Sequence, residues 1–200
     1  MTEPTATARV QAADSALTEL GPLPFPLPLG PLAPAVAGAF RGMSKGDWAF
    51  AGARGRIGAV LRGASPARLT DSTAGARPYK LAPVSSAPGN RALHAVGAAI
   101  ASGRPTLCLL GAASLASGAF HEALNVASLT GAPVIFVVMM QEITDDAPIS
   151  RQLVAGPITL ARAHGWKTYS PEASEDSVYQ AVCDARETRA PSLVCVRIGS

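Results

Sequence analysis

Two apolar segments joined by a helix constrain the fold of this chain more than any other feature. Thr106 to Leu110 is a short apolar run that ends at Gly111. Gly118 to Leu129 has apolar residues at helical spacing, and Gly131 stops that helix. A second apolar run opens at Pro133. Two strands joined by a helix of this length predict a right-handed crossover in a parallel sheet.

The carboxyl ends of these two strands are the expected place for a functional site, because ligands of open α/β sheets bind there. The first end reads Gly-Ala-Ala-Ser over 111–114, and the second reads Met-Met-Gln over 139–141. A dinucleotide site is disfavoured, because the turn after Leu110 reads Gly-Ala-Ala-Ser-Leu-Ala and does not match Gly-x-Gly-x-x-Gly.

The rest of the chain alternates between helical and strand patterns, which predicts a doubly wound α/β fold with a mainly parallel sheet and helices on both faces. Asn90 is expected to cap one of the helices, and Ser174 another. Predicted helices cover 5–20 (weakly periodic), 55–62, 91–102, 157–164 and 175–188, and further strands cover 166–169 and 191–198.

Composition suggests two parts, an N-terminal segment over 1–40 with a proline-rich arm and an α/β domain over 41–200. Alternating prolines over 21–34 hold the chain extended and disfavour both helix and central strand. One interpretation is a linker or loose tail. The other is an apolar arm along a partner subunit or along its own domain. The second rests on the apolar residues Leu23, Phe25, Leu27, Leu29 and Leu32.

Several classes of function are disfavoured by charge and hydropathy. The formal charge is +3 and no run of five basic residues occurs, which argues against nucleic-acid binding. The apolar run over 132–140 is far shorter than the roughly 20 residues of a membrane span. Cys108, Cys183 and Cys195 lack a pairing pattern and are expected to be small buried hydrophobes. With no signal-peptide pattern at the N-terminus, a cytoplasmic location is expected.

The central stretch has three notable motifs: Gly111 at the end of the first strand, the helix Phe120-His121-Glu122-Ala123-Leu124-Asn125, and the loop Pro148-Ile149-Ser150-Arg151-Gln152. In these motifs it resembles the alpha subunits of thiamine-diphosphate-dependent 2-oxo-acid dehydrogenases, of the pyruvate and branched-chain type. Gly111 matches the first glycine of that family's Gly-Asp-Gly turn, and the loop is similar to the family's loop after an Asn-Asn pair. The resemblance runs from about residue 88 to 197 and implies the thiamine-diphosphate-binding fold, in its cofactor diphosphate half.

A second region of resemblance is Asp47-Trp48-Ala49-Phe50, which is similar to an Asp-Trp-x-Phe segment of these subunits. In the family a Tyr-Arg pair follows and reaches the cofactor diphosphate. Here the tyrosine position reads Ala53 and the arginine is present as Arg54. The resemblance therefore implies one retained phosphate contact, although a surface arginine is the simpler interpretation of Arg54.

The resemblance is incomplete at the positions that hold the metal. The Asp and second Gly of Gly-Asp-Gly fall on Ala112 and Ala113, and the Asn pair falls on Met140 and Gln141. Mg²⁺ prefers hard oxygen ligands in octahedral geometry, whereas a methyl group offers none and a thioether is soft. Gln141 can supply one carbonyl oxygen. A degenerate cofactor site, with neither cofactor nor metal bound, is the resulting expectation.

Three functions remain open. The first is a non-catalytic alpha-subunit-like protein with a structural or regulatory role, as a homo-oligomer or in a heteromer with a beta-like subunit. The second is an active 2-oxo-acid dehydrogenase alpha subunit that uses thiamine diphosphate with magnesium and transfers the acyl group to lipoyl. The third is a module that binds another small ligand in the emptied cleft.

Overall fold

A five-stranded parallel sheet organises the structure, a computed structural model that describes residues 3–19, 28–71, 77–85, 87–141, 143–144 and 147–199. Its strands are β1 (Ala49–Phe50), β2 (Thr106–Gly111), β3 (Val134–Met140), β6 (Lys167–Tyr169) and β7 (Ser192–Arg197). Their order in the sheet is β1-β2-β3-β7-β6. A separate antiparallel pair, β4 (Ile143–Thr144) and β5 (Ala147–Pro148), follows β3 directly.

Helices cover both faces of this sheet, as the sequence predicted. The helices are α1 (Ala6–Glu19), α2 (Ala33–Arg41), α3 (Gly52–Gly55), α4 (Pro88–Ser102), α5 (Gly118–Thr130), α6 (Pro157–Ala163) and α7 (Glu175–Thr188). On one face the odd-numbered side chains of β2, such as Leu107, pack with α1, α2 and α7. On the other face the even-numbered ones, such as Cys108, pack with α4, α5 and α6. The 3₁₀ helices are Gly30–Leu32, Arg56–Arg62, Pro66–Thr70, Ala112–Ala116 and Ile149–Arg151.

Small residues allow α2 and α7 to approach closely. Gly38 of α2 and Gly42, which caps that helix, lie one turn apart and both face α7. A Cβ atom at Gly38 would stand 2.9 Å from the Tyr179 amide nitrogen, and one at Gly42 would stand 2.6 Å from Cγ1 of Val182. Both distances are shorter than van der Waals contact, so these two glycines set the separation of the helices.

A buried carboxylate ties together three segments at the amino-terminal side of the sheet. Asp47 is fully buried, and its side chain pairs with Arg104 at 3.2 Å and Arg186 at 2.9 Å. It also accepts a hydrogen bond from the Ser44 amide at 3.0 Å. The Asp-Trp segment that carries part of the family resemblance therefore contributes a structural anchor between the start of β1, the loop before β2 and α7.

Most predicted elements are confirmed within one to three residues. The prediction of Asn90 as an N-cap is wrong, because α4 begins at Pro88 and Ala87 takes the capping position. Proline suits the first turn of a helix because its fixed φ matches the helix and its missing N–H is not needed there. The prediction that the prolines over 21–34 exclude helix is partly wrong for the same reason. Pro31 lies in the first turn of the 3₁₀ helix Gly30–Leu32, and Pro34 lies in the first turn of α2.

The arm hypothesis falls partly outside the described residues, which exclude 20–27. Leu29 and Leu32, just beyond, are buried in the same hydrophobic cluster as α1 and α2. That placement matches an arm that lies along its own domain. The expected burial of the cysteines holds for Cys108 and Cys195, whereas Cys183 is only half-buried because it lies on the outer side of α7.

None of the helices in the described ranges combines the length and the apolar content that a membrane crossing requires.

Candidate functional site

The carboxyl ends of β2 and β3 lie side by side, as the crossover predicted. The strands pair in register over six residues, and Gly111 is the partner of Met139. The chain leaves β2 through the 3₁₀ helix Ala112–Ala116 and then enters α5. The tertiary structure therefore brings the predicted site residues Gly111, Ala112 and Ala113 to the same edge as Met140 and Gln141.

The side chains at the end of β2 offer little polar chemistry. Gly111 and Ala113 are exposed, and Ala112 is buried with 4% of its surface accessible. Ser117 caps α5, since its hydroxyl accepts from the Phe120 amide at 3.3 Å and donates to the Ser114 carbonyl at 3.1 Å. The Ser117 hydroxyl is therefore used in holding this turn.

The end of β3 is lined by two methionines and one amide. Met139 is buried, and Met140 is partly buried against the cluster beneath α4, α5 and α6. Gln141 is half-buried directly after the strand. The Met140 carbonyl accepts a hydrogen bond at 2.9 Å from the amide of Ile198, which follows β7. The backbone at the end of β3 is thus tied to the neighbouring strand.

Arg54 lies at the same edge, in the short helix α3 that follows β1 directly. The side chain is half-buried, beside the equally half-buried Ala53. The next residue, Gly55, packs on Leu109 of β2, since a Cβ there would stand 2.7 Å from the Leu109 side chain. Arg54 is thereby placed one strand away from Gly111.

A second arginine, Arg91 in the first turn of α4, reaches this edge and was not found from the sequence. Its Nη1 donates to the Leu109 carbonyl at 2.7 Å, and its guanidinium fills the space over Gly52, whose φ of +67° also favours glycine. Burial lowers the pKa of Arg91 from its ordinary value, and the nearby Cys108 partly opposes that change. The contact between Arg91 and Gly52 joins residues 39 positions apart, so no local sequence pattern could reveal it.

Ser150 and Arg151 lie in the 3₁₀ helix Ile149–Arg151 after β5, and both are exposed. The Gln152 amide donates to the Ile149 carbonyl at 2.9 Å and closes this turn. Within the described ranges, no hydrogen bond or ion pair joins either side chain to the turn after β2. Their role as a cofactor loop stays a prediction of the resemblance.

The described side chains at the two strand ends supply few oxygen donors. A buried methyl group stands at Ala112, and a thioether packed on the core stands at Met140. Gln141 supplies one neutral side-chain oxygen, whereas Mg²⁺ requires six hard donors, several of them from protein and phosphate oxygens. No cluster of three or more His, Cys, Asp or Glu side chains that could hold a metal occurs among the described residues.

Comparison with known structures identifies the fold class. The chain superposes on a transketolase from Campylobacter jejuni with a TM-score of 0.79 at 17% identity, covering 96% of this chain and 37% of that one. The two thus share an α/β fold with a parallel sheet, the thiamine-diphosphate-binding fold of transketolase and the dehydrogenases. At this level of identity the likeness shows the fold alone.

Sequence comparison identifies the family. Residues 40–153 match the family described as "Dehydrogenase E1 component". A 3-methyl-2-oxobutanoate dehydrogenase subunit alpha from two strains of Mycobacterium tuberculosis, CDC 1551 / Oshkosh and ATCC 25618 / H37Rv, is 32% identical over 149 residues. That alignment covers 66% of this chain and 39% of the relative, so the chain spans well under half of the protein it matches. The chain belongs to the dehydrogenase E1 component family, which confirms the family part of the resemblance.

Proposed function

We propose that this chain is a non-catalytic member of the dehydrogenase E1 family, which acts as a structural or regulatory subunit of an oligomer. It keeps the sheet, the crossover helix α5 and the strand ends of an alpha subunit. It does not provide the donors that the metal-bound diphosphate requires. The family resemblance implies assembly with a beta-like subunit or with a second copy of the chain.

One observation carries this proposal: the paired carboxyl ends of β2 and β3 present Ala112 and Met140 where the family pattern has a carboxylate and an amide. Ala112 is buried, and Met140 is partly buried against the hydrophobic core. A water molecule bound in place of the missing carboxylate would leave the metal without the negative charge that favours it. The scaffold, by contrast, retains buried apolar residues on both faces of the sheet.

The test is thiamine diphosphate binding with Mg²⁺ by isothermal titration calorimetry, first with the chain alone and then with any subunit that co-purifies. We expect no magnesium-dependent heat in either titration at millimolar cofactor. An active member of the family serves as the positive control. Saturable, magnesium-dependent binding by the chain alone would overturn the proposal and favour the active dehydrogenase. Binding only in the complex would mean that the partner provides the missing ligands.

Oligomeric state gives an independent test of the subunit role. Sedimentation velocity of the purified chain, alone and mixed with co-purifying protein, should reveal a homodimer or a heteromer. A monomer that binds no partner across the micromolar range would contradict a structural role in an assembly.

A further inference from the structure

A cavity of about 820 Å³ opens at the carboxyl ends of β3, β7 and β6. It shares Met140 and Gln141 with the edge described above but extends in the opposite direction, away from β2. Its size lies within the range of roughly 300–1,000 Å³ that is typical of small-molecule sites. The carboxyl edge of parallel strands is also where such sites form.

The walls of this cavity are largely apolar. Met140 and Ile149 line it from the β3 side, Ile158 lines it from α6, and Ile198 lines it from the end of β7. Methionine adapts its shape to a ligand more easily than branched side chains do. A surface of this kind favours an aliphatic or aromatic group.

Two opposite charges stand at the same cavity. Glu172 follows β6 by three residues, Arg197 is the last residue of the neighbouring strand β7, and both side chains are exposed and line the cavity. Neither side chain forms a hydrogen bond or an ion pair with another residue in the described ranges. Arg41, which is also exposed, is by contrast engaged in ion pairs within the fold. A carboxylate and a guanidinium therefore remain available to a ligand.

We propose that this cavity binds a free α-amino acid with a large apolar side chain. The ligand carboxylate pairs with Arg197 in a bidentate, charge-assisted contact, the ammonium group pairs with Glu172, and the side chain packs against Met140, Ile158 and Ile198. A phosphate-rich ligand is disfavoured by the carboxylate of Glu172, and a simple cation is disfavoured by Arg197. The site goes beyond the proposed function, because ligand binding here requires neither thiamine diphosphate nor a partner.

Calorimetry with L-leucine and L-phenylalanine tests the proposal, beside two analogues of leucine that each lack one charge. 4-Methylpentanoate lacks the ammonium group, and 3-methylbutylamine lacks the carboxylate. We expect saturable binding of at least one amino acid and binding of both analogues that is about tenfold weaker or more, because each loses a charge-assisted contact. No saturable binding of either amino acid, or an analogue that binds as well as leucine, would overturn the proposal.

Matched variants locate the site. Arg197→Gln and Glu172→Gln should each weaken amino-acid binding about tenfold. Glu172→Gln should in addition lose the preference for leucine over 4-methylpentanoate. Lys167→Gln is the control. Lys167 is also exposed, but it is the first residue of β6 and so lies at the amino-terminal ends of the strands, away from the cavity. Unchanged binding in Arg197→Gln, with circular dichroism equal to that of the wild type, would place the amino acid elsewhere and refute this site.

Competition separates this inference from the proposed function. We expect amino-acid binding to be unchanged by thiamine diphosphate with Mg²⁺. If the cofactor binds but does not displace the amino acid, the non-catalytic proposal fails and the amino-acid site stands. If the cofactor displaces the amino acid, the cavity is part of a cofactor site and the inference is wrong.

Discussion

Substitution of Gly38 by alanine tests whether the contact of α2 with α7 is as close as the structure indicates. The added Cβ would stand 2.9 Å from both the Tyr179 amide nitrogen and the Val178 Cβ, and nearer still to the Glu175 carbonyl oxygen. Two of these three atoms belong to the backbone of α7 and cannot move aside as a flexible side chain can. The helices must therefore separate.

The expected magnitude follows from two opposing effects. Overpacking of a buried contact costs about 1–3 kcal/mol, and backbone atoms place this site at the upper end. Alanine regains about 1 kcal/mol of helix propensity over glycine. The net loss is about 2 kcal/mol in the free energy of unfolding. For a protein of this size, that lowers the melting temperature by roughly 4–8 °C.

Gly97→Ala is the matched control, because Gly97 also lies inside a helix, α4, but has no atom within 4 Å of an added Cβ. It keeps the propensity gain without the clash, so we expect its melting temperature to rise by about 2–4 °C. Differential scanning calorimetry of both variants gives the comparison. If Gly38→Ala were stabilised as much as Gly97→Ala, the close approach of α2 and α7 would be refuted.

Three further perturbations follow from buried and charged groups. Asp47→Ala removes a buried acceptor of two arginines. It should lower the free energy of unfolding by about 3 kcal/mol in urea titrations. A loss below about 0.5 kcal/mol would contradict the role of Asp47 as a structural anchor. Burial raises the pKa of Glu175, but hydrogen bonds from Thr7 and the charge of Arg41 outweigh it, so the folded pKa lies below the ordinary value. Stability from this group is therefore present above the unfolded pKa and declines as pH falls through the folded one. Glu175→Gln should reduce the loss of melting temperature as the pH falls below the ordinary pKa of a glutamate. An equal pH slope in both proteins would refute the assignment. Burial raises the pKa of Cys108 to about 12. A thiol reagent at pH 8 should therefore modify Cys183 rapidly and Cys108 only after denaturation. Equal rates of modification of the two cysteines in the native protein would mean that the core opens readily.

The sequence by itself was sufficient for the architecture, because apolar periodicity and glycine positions are local signals. The run ending at Gly111, the helix stopped by Gly131 and the run opened by Pro133 predicted β2, α5 and β3, and all three are present. Residues at the strand ends could be placed on one edge because parallel strands share their direction. The family followed from the same residues, and comparison confirmed it.

The sequence was less informative where a residue serves two local patterns. Asn90 is a favourable capping residue, yet Pro88 begins the helix earlier because proline already has the required φ. The prolines of the arm suggested extended chain, yet two of them start helices. In both cases the fixed φ of proline favours a helix start, and that preference competes with another local one.

Only the tertiary structure decided which distant side chains meet. The position of Arg91 over Gly52, the convergence of Arg104 and Arg186 on Asp47, and the shared cavity of Glu172 and Arg197 all join segments that are separated along the chain. Periodicity reports which face of an element is buried, but it carries no information on which neighbour that face meets. The sequence therefore determined the sheet, its crossover and the composition of its edge. The packing of the helices on that sheet decided which of its charges are paired and which remain available to bind a ligand.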